Sequence, residues 1–251
     1  MPDAGPSFTV KLAETDAEIK AAQRLRYDVF VRELGGGGEM VDHSERLEKD
    51  RFDPYFDHML VYDDMTGEVV GVYRLLPDDR AADIGQFYSE DEYDLTVLKQ
   101  GGRKLLELGR SCLHKDYRGG TAMYHLWNGL AKYVAERKIE VLFGVASFHG
   151  TNVQELAQPL SMLHHNHLAP PDLRVRAQAG VFQNMNIVGP ESLDRRASML
   201  QVPSLIKAYL RLGGFVGEGA FIDHAFNTTD VCLVLDTERM NERQRRIYGG
   251  A

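Results

Sequence analysis

Hydrophobic and polar positions change their period along this chain, and the changes mark out its elements. Ser7–Leu12 alternates as a strand does. Thr15 and Asp16 are helix-capping residues. The apolar stripe Ile19, Ala22, Leu25 and Val29 behind them predicts a helix to about Leu34. Gly35 to Gly38 end it with a flexible loop. His58–Tyr62 and Glu68–Leu76 read as two strands joined by a turn at Asp63–Gly67, a hairpin. Gln86–Leu98 is acidic and aromatic and predicts a short helix. Lys104–Leu113 then reads as a central strand and Ala122–Lys138 as a helix whose apolar face holds Met123, Leu126, Trp127, Leu130 and Val134. Glu140–Phe148 is nearly all apolar, as an interior strand should be.

Further on, Gln154–His164 is predicted helical, as is Pro203–Leu212 with proline at its first position. Phe215–Phe221 and Val231–Leu235 are late strands, and Glu238–Tyr248 is a basic terminal helix. Residues 168–202, broken by Ala169-Pro-Pro171 and Gly189-Pro190, form an unassigned insertion. Strands and helices mix without strict alternation. The fold class is therefore α/β, with a mixed, mainly antiparallel twisted sheet flanked by helices in a single domain over 1–251.

Composition narrows the function classes. The 251 residues are 43% hydrophobic and 26% charged, ordinary for a globular protein. No apolar run reaches the ~18 residues that span a bilayer, and Met-Pro-Asp-Ala-Gly-Pro lacks a signal sequence's basic start and apolar segment. Cys112 and Cys232 are the only cysteines and lack metal-like spacing, so a reducing cytoplasmic setting is expected. The net charge of −8 argues against a general nucleic-acid binder. Local basic clusters at Arg103/Lys104, Lys115/Arg118, Arg174/Arg176, Arg195/Arg196 and Arg239–Arg246 read as solvated surface, or as docking surface for an acidic partner or an anionic membrane.

Candidate chemistry concentrates in Leu105–Gly120. On a regular strand Glu107 and Arg110 point to opposite faces. A bulge at or near Gly109 would bring them together and leave backbone N–H groups free for a carrier's amides or an oxyanion. The plain alternative is a structural Glu107–Arg110 ion pair. The following turn, Arg118-Gly-Gly120 before a helix, suits a phosphate. His164-His-Asn-His167 has no second ligand cluster nearby, so no metal is expected. Cys112 reads as a buried structural thiol, and Trp127 as core.

In this order the residues resemble a known family. Glu107–Ala122 is similar to the acyl-CoA-binding signature of the GCN5-related N-acetyltransferases (GNAT). The glycine loop, Arg118-Gly-Gly-Thr-Ala-Met123, departs from that family's pattern in a way that disfavours coenzyme A as donor. Arg26-Tyr-Asp-Val-Phe30, Glu48-Lys-Asp50-Arg-Phe-Asp53, Arg74-Leu-Leu-Pro77 and Glu107-Leu-Gly-Arg110 resemble acyl-homoserine-lactone synthases. Closer is the ornithine-acyl-ACP N-acyltransferase family of ornithine-lipid biosynthesis, once called hemolysin-like. That resemblance runs through Asp57-His-Met-Leu-Val61, Phe87-Tyr-Ser-Glu90, Leu106–Cys112, Leu126-Trp127, Leu142-Phe-Gly144, Ala146-Ser-Phe148, Leu205–Leu212 and Asp230–Leu235.

The resemblance implies transfer of a (3-hydroxy)fatty acyl group from acyl carrier protein to the α-amine of ornithine. Glutamine, glycine or another amino acid as acceptor, and a non-catalytic carrier- or lipid-binding module, are the alternatives. Glu107 would be the base, with Arg110 orienting it or binding the amino acid's carboxylate. Arg26 and Phe30, one helical turn apart, would face one pocket. Asp50 and Asp53 would hold a cationic side chain of the substrate, and Arg74 would pair with one of these acids. Ser111, Cys112, Leu113, Arg118, Gly119 and Gly120 would meet the phosphopantetheine. No cofactor is expected to be bound beyond that donor. The partners implied are acyl carrier protein, the amino acid and the inner leaflet of the membrane, touched through Arg239–Arg246.

Overall fold

The structure is a computed structural model and describes residues 7–249, with side-chain surroundings through Arg245. The N-terminal segment read above for a signal sequence lies outside these residues, as does the Arg246 side chain of the terminal basic run.

Ten strands and eight α-helices lie among the described residues. The strands are β1 (Phe8–Leu12), β2 (Asp57–Asp63), β3 (Val69–Pro77), β4 (Tyr93–Asp94), β5 (Leu105–Leu113), β6 (Val141–His149), β7 (Arg176–Ala177), β8 (Phe215–Val216), β9 (Phe221–Asp223) and β10 (Thr228–Asp236). The helices are α1 (Asp16–Arg26), α2 (Asp78–Ile84), α3 (Thr96–Lys99), α4 (Ala122–Arg137), α5 (Ala157–His167), α6 (Arg195–Gln201), α7 (Ser204–Arg211) and α8 (Glu242–Gly249). The main sheet runs β1-β2-β3-β5-β6-β10-β8, with β9 also on β10. Its neighbours are antiparallel except β5 and β6, which α4 connects and which are parallel.

Local chemistry explains where α1 begins and how it ends. Thr15 caps it in a reciprocal box: Glu18 N donates to Thr15 Oγ1 at 3.3 Å, and Thr15 N donates to Glu18 Oε2 at 3.1 Å. The helix then widens into a π-helical turn over Tyr27–Glu33, which turns Phe30 away from an α-helical register. The glycines that follow form no regular element, but the backbone there is tied down. Gly36 N donates to Phe30 O at 2.8 Å and Gly37 N to Ala225 O at 2.9 Å. A Cβ on Gly36 would stand 2.6 Å from the Phe226 ring, so close packing, rather than looseness, calls for glycine here.

Apolar burial covers both faces of the sheet. Leu106, Leu108, Leu126, Leu142 and Ile206 pack on one side, and Phe52, Phe87, Tyr93, Phe143 and Val234 on the other. Trp127 packs against the first of these clusters, its ring 5.1 Å from that of Tyr209. Residues 168–202, left unassigned from sequence, lean on the sheet edge. Ala169 N donates to Val216 O at 2.8 Å, and the segment holds β7 and α6. The strand expected over Phe215–Phe221 is interrupted for the same reason. Gly217 N still donates to Cys232 O of β10, but Glu218 N donates to Val175 O and Ala177 N to Glu218 O, so from Glu218 the stretch pairs with the insertion. Pro203 caps α7 from outside rather than occupying its first position.

One contact fixes where the central strands separate. β5 pairs with β6 only over Leu105–Glu107, opposite Val141–Phe143. At the next pair the backbones touch: a Cβ on Gly144 would lie 2.1 Å from Leu108 O. Gly144→Ala is expected to destabilise the protein by about 1–3 kcal/mol through this overpacking, read from urea unfolding at constant m-value.

Candidate active site

Beyond Glu107 the two central strands part, and β5 stays paired only with β3. Arg74 lies opposite Gly109 and Val72 opposite Cys112, so Arg110 and Ser111 together face the single residue Tyr73. This is a bulge, one residue beyond Gly109, and Arg110 takes the left-handed φ of 53°. A non-glycine residue there costs of order 1–3 kcal/mol unless its surroundings hold it. The Arg110 side chain supplies the hold. Its Nε donates to Glu48 Oε1 at 3.1 Å and its Nη1 to the Tyr88 hydroxyl at 3.4 Å, while its guanidinium lies 4.8 Å from the Phe226 ring centre.

A cavity of about 240 Å³ opens between the parted strands. Glu107, Arg110 and Ser111 line it from β5 and Ser147 from β6. Phe30, Leu205 and Phe226 supply apolar wall, and Asp230 closes it from β10.

Glu107 is 1% exposed. Its carboxylate accepts from Tyr88 N and Ser89 N, both at 2.7 Å, and from the Ser89 hydroxyl. A carboxylate has about four acceptor sites, so roughly one remains, on Oε2. Burial pushes the group up to about 7, against the opposing pull of the Ser89 and Tyr88 hydrogen bonds and of the Arg74 charge. A carboxylate tuned in this way changes protonation near neutral pH, as a general base must. The bulge does bring Glu107 and Arg110 to one side. They meet through Tyr88, whose backbone serves one and whose hydroxyl serves the other, and the direct Glu107–Arg110 ion pair considered from sequence does not form.

Beneath the cavity three arginines face three acids. Arg26 Nε donates to Glu48 Oε2 at 2.5 Å and its Nη1 to Asp53 Oδ1 at 2.9 Å. Arg74 Nη1 donates to Asp53 Oδ1 at 2.6 Å and to Asp50 Oδ2 at 2.8 Å. Arg110 completes the set on Glu48, with Asp50 at 3.8 Å. The Arg26 and Arg74 side chains are wholly buried. Burial alone would raise the Glu48 carboxyl, but Arg110, Arg26 and Arg74 outweigh it and hold it at about 2. Arg26 and Arg74 likewise keep Asp53 well below the ordinary carboxylate range, against its burial.

Residues 25–128, which contain this network and β5, match the acetyltransferase (GNAT) domain family. The chain is 59% identical to an L-ornithine N(alpha)-acyltransferase of Rhodobacter capsulatus, over 96% of this chain and 95% of that one. It is 42% identical to the enzyme of the same name from Brucella abortus, over 97% and 89%. The chain belongs to the L-ornithine N(alpha)-acyltransferase family. Its fold is also that of a CoA-dependent acyl-homoserine lactone synthase, BjaI, with TM-score 0.54 at 13% identity over 98% of this chain and 89% of that one. FeeM, an N-acyl amino acid synthase from uncultured soil microbes, superposes with TM-score 0.51 at 12% identity over 93% of each chain.

In this acyltransferase the residues singled out from sequence fall into three places. Glu107, Arg110, Ser111 and Phe30 line the cavity. Arg26, Asp50, Asp53 and Arg74 form the network beneath and are not among its lining residues. Arg26 therefore does not share a pocket with Phe30, because the π-helical turn separates them. Neither Asp50 nor Asp53 is left without an arginine, so neither offers a free carboxylate to a substrate cation.

The third place is the far end of β5. Cys112 and Leu113 are buried, and burial pushes the Cys112 thiol up to about 12. Arg118 Nη2 donates to Glu33 Oε2 at 2.7 Å and its Nε to Leu113 O at 3.2 Å. Gly119 turns the chain with φ of 78°, and Gly120 precedes α4, whose first turn receives no side-chain cap from Thr121. Among the described residues no group of three or more His, Cys, Asp or Glu could hold a metal.

Reading the sequence did not single out Glu48, Tyr88, Ser89, Asp223 or Asp230 as site residues. Glu48 and the Phe87-Tyr-Ser-Glu90 run carried the family resemblance, and Tyr88 and Ser89 turn out to hold Glu107 from within a 3-10 turn. Asp230 opened the Asp230–Leu235 run of the same resemblance, and Asp223 gave no local signal; only strand pairing brings the two to the cavity.

Two stability outcomes follow. Asp53→Asn leaves Arg26 and Arg74 short of a counter-charge and is expected to cost about 3–5 kcal/mol in urea unfolding. Carboxyls whose folded-state value is depressed stabilise the fold above their unfolded values and lose that contribution as pH falls. The urea midpoint of the wild type should therefore drop between about pH 4.5 and pH 2, the span over which Glu48 is shifted.

Proposed function

We propose that this acyltransferase moves a (3-hydroxy)fatty acyl group from the phosphopantetheine thioester of acyl carrier protein to the α-amine of ornithine, giving lyso-ornithine lipid. The names of its relatives support the acceptor. The observation that carries the chemistry is Glu107, buried at the parting of β5 and β6 with an acceptor site to spare and a carboxyl raised to about 7.

The amine arrives as an ammonium and gives a proton to Glu107, directly or through a water. Its lone pair then attacks the thioester carbonyl, the C–N bond forms, and the C–S bond breaks. The nitrogen gives up its second proton to the departing sulfur, so the carrier leaves as the thiol, and Glu107 returns its own proton to solvent. Backbone N–H groups of β5 past Glu107, unclaimed by β6, are available to the pantetheine amides and to the developing oxyanion. Arg110, fixed in the cavity wall, serves the amino acid's α-carboxylate.

Acyl carrier protein is favoured over coenzyme A because the turn has Thr121 and Met123 where the GNAT signature has the small residues that let a pyrophosphate approach, and Arg118 is engaged by Glu33. Direct transfer needs no acyl-enzyme, and the high thiol value of Cys112 suits a structural role. Among the described residues no helix is long and apolar enough to cross a membrane. Delivery of the lipid product by peripheral contact with the inner leaflet, through the basic run from Arg239, belongs to the same proposal.

Purified protein given 3-hydroxyacyl carrier protein and ornithine should release N-acyl-ornithine, detected by mass spectrometry. Glu107→Gln is expected to slow this by roughly 10²- to 10⁴-fold, the usual contribution of a positioned acid or base. Product with glutamine or glycine alone would move the acceptor, equal use of acyl-coenzyme A would move the donor, and full activity in Glu107→Gln would remove the base.

A further inference from the structure

The network beneath the cavity is balanced, three arginines to three acids. Across the cavity the balance fails. Asp230, on β10 opposite Ser147 of β6, lines the same cavity as Glu107 and Arg110. Asp223 lines it from β9, the strand paired with this end of β10. Glu92 lies behind them, close enough that Asp230 and Asp223 are its main charged neighbours.

Asp230 is 5% exposed and Glu92 6%. Asp230 Oδ1 and Glu92 Oε2 are both buried without a hydrogen-bond partner. Among the described residues no arginine, lysine or histidine forms an ion pair with Asp223, Asp230 or Glu92. Arg110, the cation that most offsets Glu92, bonds Glu48 and Tyr88 and forms no ion pair with any of these three acids. Unpaired buried carboxylate oxygens are expensive unless something outside the chain satisfies them. Burial raises both Glu92 and Asp230; Asp230 and Asp223 add to the rise of Glu92, and Asp223 to that of Asp230 against the opposing pull of the Ser147 and Thr228 hydroxyls, a condition that an arriving cation relieves.

We propose that Asp230, backed by Glu92 and flanked by Asp223, is the subsite for a second cationic group on the acyl acceptor, the side-chain ammonium of a diamino acid. The inference rests on the reading that the α-amine is acylated beside Glu107. It assigns the discrimination of ornithine from neutral amino acids to β9 and β10, rather than to Asp50 and Asp53, whose charges are already spent on arginines. The cavity then presents Glu107 to the α-amine, Arg110 to the α-carboxylate and Asp230 to the far ammonium.

The test compares ornithine with norvaline, the same carbon chain without the terminal amine, using acyl carrier protein donor. Asp230→Asn is expected to lower the ratio of kcat/KM for ornithine to that for norvaline by roughly 10- to 100-fold, mainly through KM, the usual size of a hydrogen-bonded charge contact. Asp223→Asn, nearer the rim, should move the ratio the same way by less and guards against a misfolded Asp230 variant. Calorimetric titration of each protein with ornithine alone provides a readout that does not need turnover. Ornithine binding that weakens in Asp230→Asn while no wild-type donor yields acyl-ornithine would overturn the proposed reaction and leave the subsite standing. Acyl-ornithine formation with an unchanged ratio and unchanged binding in both variants would overturn the subsite and leave the reaction standing.

Discussion

The constraint on which the site depends is the short reach of the β5–β6 pairing. Three residues of β5 pair with β6, the backbones touch at Gly144 and Leu108, and the strands then diverge. Had the ladder continued, Glu107 would be one more buried strand residue and no cavity would exist. The left-handed Arg110 holds the two strands apart, and its side chain, clasped by Glu48 and Tyr88, holds that backbone conformation. A backbone irregularity in the middle of a sheet thus opens a cavity beside an acid.

Electrostatics then sort the buried charges into roles. The network of Arg26, Arg74, Arg110, Glu48, Asp50 and Asp53 is cross-linked by ion pairs, which hold Glu48 and Asp53 in the ionised form. It fastens the helix α1, the loop before β2, and the strands β3 and β5 to one another. Glu107 sits above with hydrogen bonds but no ion pair, so burial prevails and its carboxyl rises towards neutrality. Arg74 illustrates the division. It bonds Asp50 and Asp53, stacks 4.3 Å from the Phe56 ring, and opposes the rise of Glu107 without bonding it. Buried acids within one strand's width therefore behave in opposite ways, according to which of them has an arginine.

Most of the elements could be read from the sequence because they obey a single local rule each. The capped helix α1, the β2–β3 hairpin, the helix α4 and the apolar β6 carry their own periodicity. Glu107 and the neighbouring bulge were legible because an acid inside an apolar strand followed by Gly109 is unusual. Features made by pairing between distant segments were not. Glu218 and Ala220 look like strand residues yet pair with the insertion, and Asp223 and Asp230 reach the cavity only through the register of β9 on β10. The acidic spacing of Asp50 and Asp53 suggested a cation site. It could not reveal that Arg26 and Arg74, 21 or more residues away in the chain, already occupy both. Which arginine answers which acid is a property of the fold.

On the proposed mechanism one buried carboxyl, Glu107, takes the proton from the attacking amine. The pH dependence of kcat reports ionisations within the enzyme–substrate complex and tests it most directly. With acyl carrier protein donor and saturating ornithine, kcat should rise with pH through a single ionisation near 7 to a plateau. That inflection should be absent from the residual activity of Glu107→Gln. An inflection that persists unchanged in the Glu107→Gln protein would contradict the account, because the titrating group would then lie elsewhere.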